Sequence, residues 1–177
     1  MTKFIGKYTL SHPTIYKDGE SMVKKDIKDS TDIAISVGEN TLVDAYVNEA
    51  QVCLDKYKKD YKYADEEQSS YDIVENISIQ YYTPGQAFHK WHCERSCSET
   101  SKRHLVFMTY LNDVTDKGGT EFYYHNICIA PKKGLTLIWP TGWTFTHRGI
   151  PSPTQEKYII TGWYSYINTN EGALNEF

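Results

Sequence analysis

Apolar and polar residues alternate with two different periods along this chain of 177 residues. From residue 41 the apolar side chains recur at intervals of three and four positions, which predicts an amphipathic helix to about residue 60 that packs against a sheet. Thr41 followed by Asp44 resembles a capping box at the start of this helix. Residues 1–39 show no sustained period, but turn residues in SHPTIYKDGE and the alternating piece TDIAISV indicate extended structure.

After residue 72 the pattern changes to short alternating segments separated by turn residues, which is typical of strands. The separators are TPG, DKGG, PKKG and PSPTQ. The predicted strands are 73–82, 88–94, 103–111, 120–124, 126–130, 133–139, 143–148 and 157–167. No helix-length segment lies between successive strands, so we predict a mainly β fold. It would be a double-stranded β-helix of the jelly-roll or cupin type with an N-terminal helical preface.

The length of the chain fits one domain, 1–177, with a core at about 72–167 and an N-terminal extension and helix at 1–71. Lysine and arginine number 19 against 23 acidic residues, and no basic block is present, so we expect no nucleic-acid partner. Neither a signal-peptide core nor an apolar run of about 20 residues occurs. We therefore expect no membrane partner and a cytoplasmic location, while the oligomeric state stays open.

The stretch FHKWHCERSC, residues 88–97, concentrates metal-binding side chains. Along a strand, His92 and Glu94 would share one face while His89 would point to the other. One imidazole and one carboxylate leave a divalent ion short of ligands, so a third must come from elsewhere. The remaining histidines are His12, His104, His125 and His147. We choose His147, because it ends a predicted strand before a proline-rich turn.

Two histidines and one carboxylate on one face of an ion form a facial triad with open positions, which is typical of non-heme Fe(II) oxygenases. Open positions indicate catalysis and not a structural clamp. The alternative is a structural zinc site that combines Cys93, Cys97 and Cys128 with His89 or His104. We favour it less, because no second closely spaced pair completes four ligands. Without a secretory signal, Cys53 and the other cysteines are more simply free thiols.

An iron with open positions needs an electron-supplying cosubstrate beside dioxygen. 2-Oxoglutarate would chelate the iron through its 2-oxo acid end, and its far carboxylate would need a cation. Lys157 opens the last predicted strand, KYIITGWYSYI, and shares a face with Ile159, Thr161 and Trp163. A buried ammonium requires an anion, so Lys157 is a candidate for this contact. The alternative of equal weight is a lysine at the exposed start of a strand.

Six segments in order between about residues 72 and 167 resemble the 2-oxoglutarate and Fe(II)-dependent dioxygenases of the prolyl 4-hydroxylase type. They are YYTPGQAFHKWHCE, RHLVFMTYLND, KGGTEF, PKKGLTLIWP, THRGIP and KYIITGW. Any one of them is a weak signal, but six in family order are a strong one. The last two are most similar to small members from bacteria and their phages.

This resemblance implies a role for each matching residue. It implies that His92, Glu94 and His147 are the iron ligands. It also implies that Lys157 and Tyr110 contact the far carboxylate of 2-oxoglutarate. Further members of the implied site are Thr161 beside the cosubstrate and the pocket aromatics Tyr82 and Trp163.

Two departures from the family leave questions open. Most relatives carry aspartate at the position of Glu94, and the extra methylene of glutamate lengthens the arm while still offering a carboxylate oxygen to the metal. Some prolyl hydroxylases place the ligand histidine nearer the Gly-Gln pair, so His89 stays a reserve ligand. We interpret Arg103 and Arg148 as structural.

The resemblance implies an enzyme that uses Fe(II), 2-oxoglutarate and O2, and it allows ascorbate as an additional cofactor. The implied reaction is hydroxylation of an sp3 carbon, with a prolyl residue as the favoured target. The partner would be a peptide, a protein or a small-molecule substrate. One alternative is a non-enzymatic cupin-like module that binds a metal or ligand. The other alternative is a nucleic-acid demethylase, but the acidic charge balance of the chain disfavours it.

Overall fold

The computed structural model describes residues 15–17, 20–22 and 25–167 and has a mainly β architecture with one long helix. Helix α1 spans Thr41–Asp60, and short 3-10 turns occur at Lys62–Ala64, Ser98–Thr100 and Trp143–Phe145. The strands are β1 (Ile15–Lys17), β2 (Glu20–Met22), β3 (Thr31–Ile35), β4 (Tyr71–Asp72), β5 (Ile77–Tyr82), β6 (Arg103–Tyr110), β7 (Thr120–Phe122), β8 (Ile127–Ile129), β9 (Thr136–Pro140), β10 (His147–Gly149) and β11 (Lys157–Tyr166).

Two antiparallel sheets form the body of the molecule. The larger has the strand order β3-β5-β11-β6-β9, with β4 added beside β11, and the smaller has the order β10-β7-β8. Strands β1 and β2 form a separate hairpin. The predicted mainly β, jelly-roll class is confirmed. The proposed single-domain boundary stays a prediction, and His12 and part of SHPTIYKDGE lie outside the described residues.

Both faces of the larger sheet are covered, which explains why its central strands are almost wholly buried. Successive side chains of β6 point to opposite faces. Leu105 and Phe107 join the core beneath α1, whereas Val106, Met108 and Tyr110 join the core that includes Phe122 of the smaller sheet. Each large apolar side chain buried in this way contributes about 1.5–3 kcal/mol. The second of these cores opens into the cavity described below.

Helix α1 has the predicted bounds but a different cap. Asn40 Oδ1 accepts hydrogen bonds from the backbone N–H groups of Leu42 at 2.9 Å and Val43 at 3.4 Å, so Asn40 caps the helix. The predicted capping box of Thr41 and Asp44 is therefore wrong. Asp44 Oδ1 accepts instead from the backbone of the preceding turn, at Gly38 N, 2.7 Å away.

The predicted strand 88–94 is wrong, although its side chains still converge. Phe88 and His92 make only isolated bridges, to Lys28 and His147 respectively. The backbone here pairs one residue at a time with two different segments, around residues 27–29 and 147–149. It therefore never forms a continuous ladder with one partner.

Other predicted strands differ in their bounds. In the predicted strand 143–148, residues Trp143–Phe145 form a 3-10 turn, because Phe145 N and Thr146 N bond back to Gly142 O and Trp143 O. The predicted strand 73–82 forms only from Ile77 onward, as β5, and the predicted strand 133–139 forms only from Thr136 onward, as β9. The strands predicted at 103–111, 120–124, 126–130 and 157–167 are confirmed as β6, β7, β8 and β11, and the alternation in TDIAISV corresponds to β3.

No helix among residues 25–167 combines the length and the apolar character needed to cross a bilayer. All four cysteines carry free thiols.

Gly162 permits close packing between the two central strands. It lies opposite Phe107 in the register of β11 and β6, and a Cβ added at Gly162 would overlap the Phe107 ring. Gly142 differs, because a Cβ there would meet only Arg95 Nη2 at 3.7 Å.

We expect Gly162→Ala to lower the free energy of unfolding by about 1–3 kcal/mol, because the extra methyl overpacks the core. Urea unfolding monitored by circular dichroism measures this change. The matched control, Gly142→Ala, should stay within about 0.5 kcal/mol of the unsubstituted protein. Equal stability of the two variants would contradict the packing role assigned to Gly162.

Candidate metal centre

A reciprocal pair of backbone hydrogen bonds joins the two segments that carry the candidate histidines. His92 N donates to His147 O at 3.0 Å, and His147 N donates to His92 O at 2.9 Å. Residues that exchange both bonds lie about 5.5 Å apart at Cα and project their side chains to the same face. The two imidazoles consequently lie side by side, with ring centroids 4.3 Å apart.

Glu94 completes a group of three ligand atoms. Its Oε1 lies 3.4 Å from His92 Nε2 and 3.4 Å from His147 Nε2, and all three ligand atoms lie within 4.8 Å of one another. Bonds of about 2.1 Å to one ion place adjacent ligand atoms about 3 Å apart, so small side-chain movements would suffice to bind a cation. Within residues 25–167, no other group of histidine, cysteine and acidic side chains converges in this way.

The outer nitrogen of each imidazole is already fixed. His92 Nδ1 bonds to Lys90 O at 2.9 Å, and His147 Nδ1 bonds to Phe145 O at 2.9 Å. A carbonyl oxygen can only accept, so each Nδ1 carries a proton, and Nε2 is the nitrogen of each ring that faces Glu94 and is left to bind a cation. Hydrogen bonds of this kind orient histidine ligands in metal sites.

The second oxygen of Glu94 is held by two side chains. Trp163 Nε1 donates to Glu94 Oε2 at 3.0 Å, and Arg103 Nη1 lies 3.7 Å from the same oxygen. The Arg103 guanidinium stacks over the Trp163 ring at 3.6 Å, while its Nε donates to Glu75 Oε1 at 2.9 Å. Oε1 is thus the Glu94 oxygen left to face the two imidazoles. Arg103, which the sequence suggests is structural, therefore lies at the site.

Glu94 is largely buried, yet it is ionised. Burial by itself would raise its pKa, but the adjacent imidazoles of His147 and His92 outweigh that effect and hold the pKa well below its usual range. The carboxylate is thus in the form that binds a cation.

The three side chains lie in a cavity of about 520 Å³ between the two sheets. That volume falls in the range of about 300–1,000 Å³ typical of small-molecule sites. Every site residue predicted from the sequence lines this cavity: His92, Glu94, His147, Lys157, Tyr110, Thr161, Tyr82 and Trp163.

Lys157 is a buried ammonium with no anionic partner among the described residues. The residue is 4% exposed, and Nζ donates to two neutral carbonyls, Gly118 O at 3.0 Å and Ile150 O at 3.5 Å. Nζ also lies 4.7 Å from the centre of the Tyr82 ring. Burial lowers the pKa of Lys157 to about 8. The alternative of an exposed lysine is therefore wrong, and a bound carboxylate would supply the missing anion.

Hydroxyl groups and one indole extend the lining of the cavity. The Tyr110 hydroxyl shares a hydrogen bond of 2.7 Å with Thr120 Oγ1, and burial raises the pKa of Tyr110 to about 12, so the hydroxyl stays protonated. Thr161 Oγ1 donates to Phe107 O at 3.1 Å. Trp139 Nε1 is buried without a hydrogen-bond partner among the described residues. A donor of this kind is available to an acceptor on a ligand.

The alternative ligands are not assembled in the described part of the chain. His89 is absent from the cavity lining and from the converging group. Both ring nitrogens of His104 are engaged, by Ala64 O at 2.8 Å and by the Tyr166 hydroxyl at 2.9 Å, and His125 packs against Phe145. None of the four thiols belongs to a metal-spaced group. The structural zinc site is therefore wrong for the residues described.

Several lining residues were missed by sequence reasoning: Lys28, Asp32, Ser78, Gln80, Phe88, Thr100, Thr120 and Trp139. Alternation from Tyr82 along the same strand could have identified Gln80 and Ser78, because residues two apart share a face. No local pattern distinguishes Lys28, which lies before the first residue of β3.

The sequence of residues 77–165, half of the chain, matches the family model described as the 2OG-Fe(II) oxygenase superfamily. No curated protein sequence matches this chain significantly.

Solved structures with a similar fold include three prolyl hydroxylases. A viral collagen prolyl hydroxylase from Paramecium Bursaria Chlorella virus-1, solved with 2OG, is 21% identical with a TM-score of 0.63, covering 79% of this chain and 80% of that one. A Pseudomonas putida prolyl-4-hydroxylase is 18% identical, with a TM-score of 0.63 and coverage of 82% and 76%. A Trichoplax adhaerens prolyl hydroxylase, in complex with a hypoxia inducible factor peptide fragment, is 17% identical, with a TM-score of 0.66 and coverage of 88% and 70%. At these identities the likeness shows a shared fold.

We expect Trp163→Phe to weaken Mn(II) binding about 10- to 100-fold, because the variant keeps the ring but loses the N–H that holds Glu94 Oε2. Isothermal titration calorimetry with Mn(II) measures the dissociation constant. Trp143→Phe is the matched control, since Trp143 is exposed and outside the cavity lining, and its affinity should equal that of the unsubstituted protein. Unchanged Mn(II) affinity in Trp163→Phe would rule out this role for the indole.

Proposed function

Because this chain belongs to the 2OG-Fe(II) oxygenase superfamily, whose reaction uses Fe(II), 2-oxoglutarate and O2, we propose that it hydroxylates an sp3 carbon of a peptide or protein, with a prolyl residue as the target. One observation carries the proposal. His92, Glu94 and His147 converge in a cavity that also contains Lys157, a buried ammonium without an anionic partner among the described residues.

The donor set fits Fe(II). Two imidazole nitrogens and one carboxylate oxygen, all on one side of a cation, leave adjacent positions open for reagents. When bound, Fe(II) activates dioxygen and couples the oxidative decarboxylation of 2-oxoglutarate, to succinate and carbon dioxide, with hydroxylation of the substrate. The contribution of His92 and His147 is to present correctly oriented Nε2 lone pairs, and that of Glu94 is to present a single ionised oxygen.

Lys157 and its surroundings fit the far carboxylate of 2-oxoglutarate. In our proposal the Lys157 ammonium pairs with that carboxylate. The Tyr110 hydroxyl accepts from Thr120 and turns its proton from Ile129 O, 3.3 Å away, to the carboxylate. Thr161 lies between Lys157 and Trp163 on the same face of β11. Apolar side chains such as Met108 and Ile159 complete the wall and exclude water from the cosubstrate.

Support for a prolyl target comes from the three prolyl hydroxylases whose fold this chain shares. A polypeptide substrate, in preference to nucleic acid, is consistent with the net charge of −4 and the lack of a basic block. The proposal also includes ascorbate as an additional cofactor, a bacterial or phage source and a cytoplasmic location. Four free thiols favour a reducing compartment.

The overall activity is tested by measuring succinate with a panel of proline-containing peptides. We expect succinate formation that requires Fe(II), O2 and 2-oxoglutarate together and that increases with a substrate peptide. A non-enzymatic cupin-like module is disfavoured by the family match, and it would bind these ligands without forming succinate. Absence of succinate under all these conditions would therefore contradict the proposal.

We expect His92→Ala and His147→Ala each to lower succinate formation to background, because the remaining two ligands cannot retain Fe(II). Circular dichroism should show that both variants stay folded. His89→Ala is the matched control, since His89 precedes the same segment without lining the cavity, and it should retain activity. Activity in either ligand variant, or its loss in His89→Ala, would show that the metal assignment is wrong.

The affinity for 2-oxoglutarate should decrease above about pH 8. Below the Lys157 pKa of about 8 the ammonium is already charged; above it, binding of the carboxylate must first restore the proton. The dissociation constant should then rise by up to about tenfold for each pH unit. Calorimetric titration of Mn(II)-loaded protein between about pH 7 and 9.5 measures this.

Lys157→Arg provides the control for that pH series. Its guanidinium stays protonated throughout the range, so any 2-oxoglutarate binding that it retains should not weaken above pH 8. The same pH dependence in both proteins would assign the effect to another group.

A further inference from the structure

One edge of the larger sheet gives the cavity a polar wall that the proposed metal and cosubstrate contacts do not use. Asp32 of β3 and Gln80 of β5 are register partners, and both line the cavity. Lys28 joins them from the segment that bridges to Phe88. A sheet face between two layers is normally apolar, so a polar group at this edge indicates contact with something polar inside the cavity.

A single aromatic side chain, Phe88, lies between this wall and the candidate metal ligand His92. Lys28 Nζ is 5.7 Å from the centre of the Phe88 ring. The Phe88 ring stacks on the His92 imidazole with a centroid separation of 3.6 Å and an interplanar angle of 9°. A substrate residue whose side chain reaches the triad would therefore place its main chain near Lys28.

Each side-chain oxygen of Asp32 and Gln80 already accepts a hydrogen bond from another side chain. Asp32 accepts from Lys28 Nζ at 2.7 Å through one oxygen and from Ser30 Oγ at 2.8 Å through the other. Gln80 Oε1 accepts from the Tyr82 hydroxyl. The oxygens of Asp32 and Gln80 are therefore occupied by hydrogen bonds within the protein.

The donors, in contrast, are incompletely used. The Lys28 side chain is 11% exposed, and Asp32 is its one hydrogen-bond partner among the described residues, whereas an ammonium has three N–H groups. Gln80 is 7% exposed, and Nε2 contacts only Ser78 Oγ, at the limiting distance of 3.5 Å. Buried donors without good partners are unfavourable, and an acceptor on a ligand would relieve them.

The charges of the cavity are balanced without the substrate. Asp32 neutralises Lys28, and Glu75 neutralises Arg103. Under the proposed function, Lys157 pairs with the far carboxylate of 2-oxoglutarate, while Glu94 and the 2-oxo acid end offset the charge of Fe(II). Among the described residues that line the cavity, no cation remains to pair with an additional carboxylate, so the free donors suit a neutral carbonyl oxygen.

We propose that Lys28 and Gln80 form a substrate subsite that donates hydrogen bonds to main-chain carbonyl oxygens of a polypeptide. The enzyme then acts on a residue within a chain and discriminates against the free amino acid, whose carboxylate is charged. This inference rests on the proposed function and adds the residues that recognise the substrate.

Binding to Mn(II)- and 2-oxoglutarate-loaded protein tests the subsite without turnover. The probe is a decapeptide of alternating serine and proline, acetylated at its N-terminus and amidated at its C-terminus, and free proline is the comparison ligand. Lys28→Met is combined with Asp32→Asn, which removes the donor without leaving a buried carboxylate unpaired. Gln80→Met is the second variant, because it keeps the length of the side chain and removes the N–H donors without adding a buried charge.

We expect both variants to bind the peptide at least about tenfold more weakly, the effect of losing a buried hydrogen bond. The affinity for 2-oxoglutarate should change by less than about twofold, since neither side chain is assigned to it. The exposed control, Lys102→Met, should bind the peptide like the unsubstituted protein. In that protein, free proline should bind at least about tenfold more weakly than the peptide.

Three results would overturn the subsite: unchanged peptide affinity in both variants, free proline that binds as tightly as the peptide, or no binding of the peptide to the loaded, unsubstituted protein. Failure of the unsubstituted protein to bind 2-oxoglutarate is a different outcome, because it would overturn the proposed function itself.

Discussion

Two backbone hydrogen bonds between His92 and His147 determine the spacing on which the site depends. They place two imidazoles side by side, and the two-residue step from His92 to Glu94 brings a carboxylate to the same point. The two larger sheets support this bridge. The central strands β6 and β11 form a floor buried on both faces, and the smaller sheet, which ends in β10, presents His147 above it.

The sequence predicts which residues converge at the site better than it predicts the secondary structure in which those residues lie. His92 and Glu94 follow from a spacing of two, which is favourable in a strand, although the segment makes only isolated bridges. Lys157 was recognisable because alternation places it with Trp163 on one face of a strand that does form. Lys28 and Arg103 were not recognisable as cavity residues, because their positions result from pairing between distant segments that no local period records.

Electrostatics links the two ends of the cavity. At one end, an ionised Glu94 is surrounded by groups that favour its charge, so the site is prepared for a cation. At the other end, Lys157 is held among neutral carbonyls, where burial destabilises its charge. A ligand that bears a carboxylate opposite a chelating group matches both ends at once.

The reciprocal His92–His147 bridge also makes the positions of the two histidines independent of a neighbouring loop. Because the ligands are aligned by their own main chain, the loop at residues 95–102 can change in sequence or length without displacing them. Homologous proteins built on this frame are thereby free to diverge in what they recognise. If the metal ligands stay in place while the surrounding loops change, a family can acquire new substrates by small evolutionary steps.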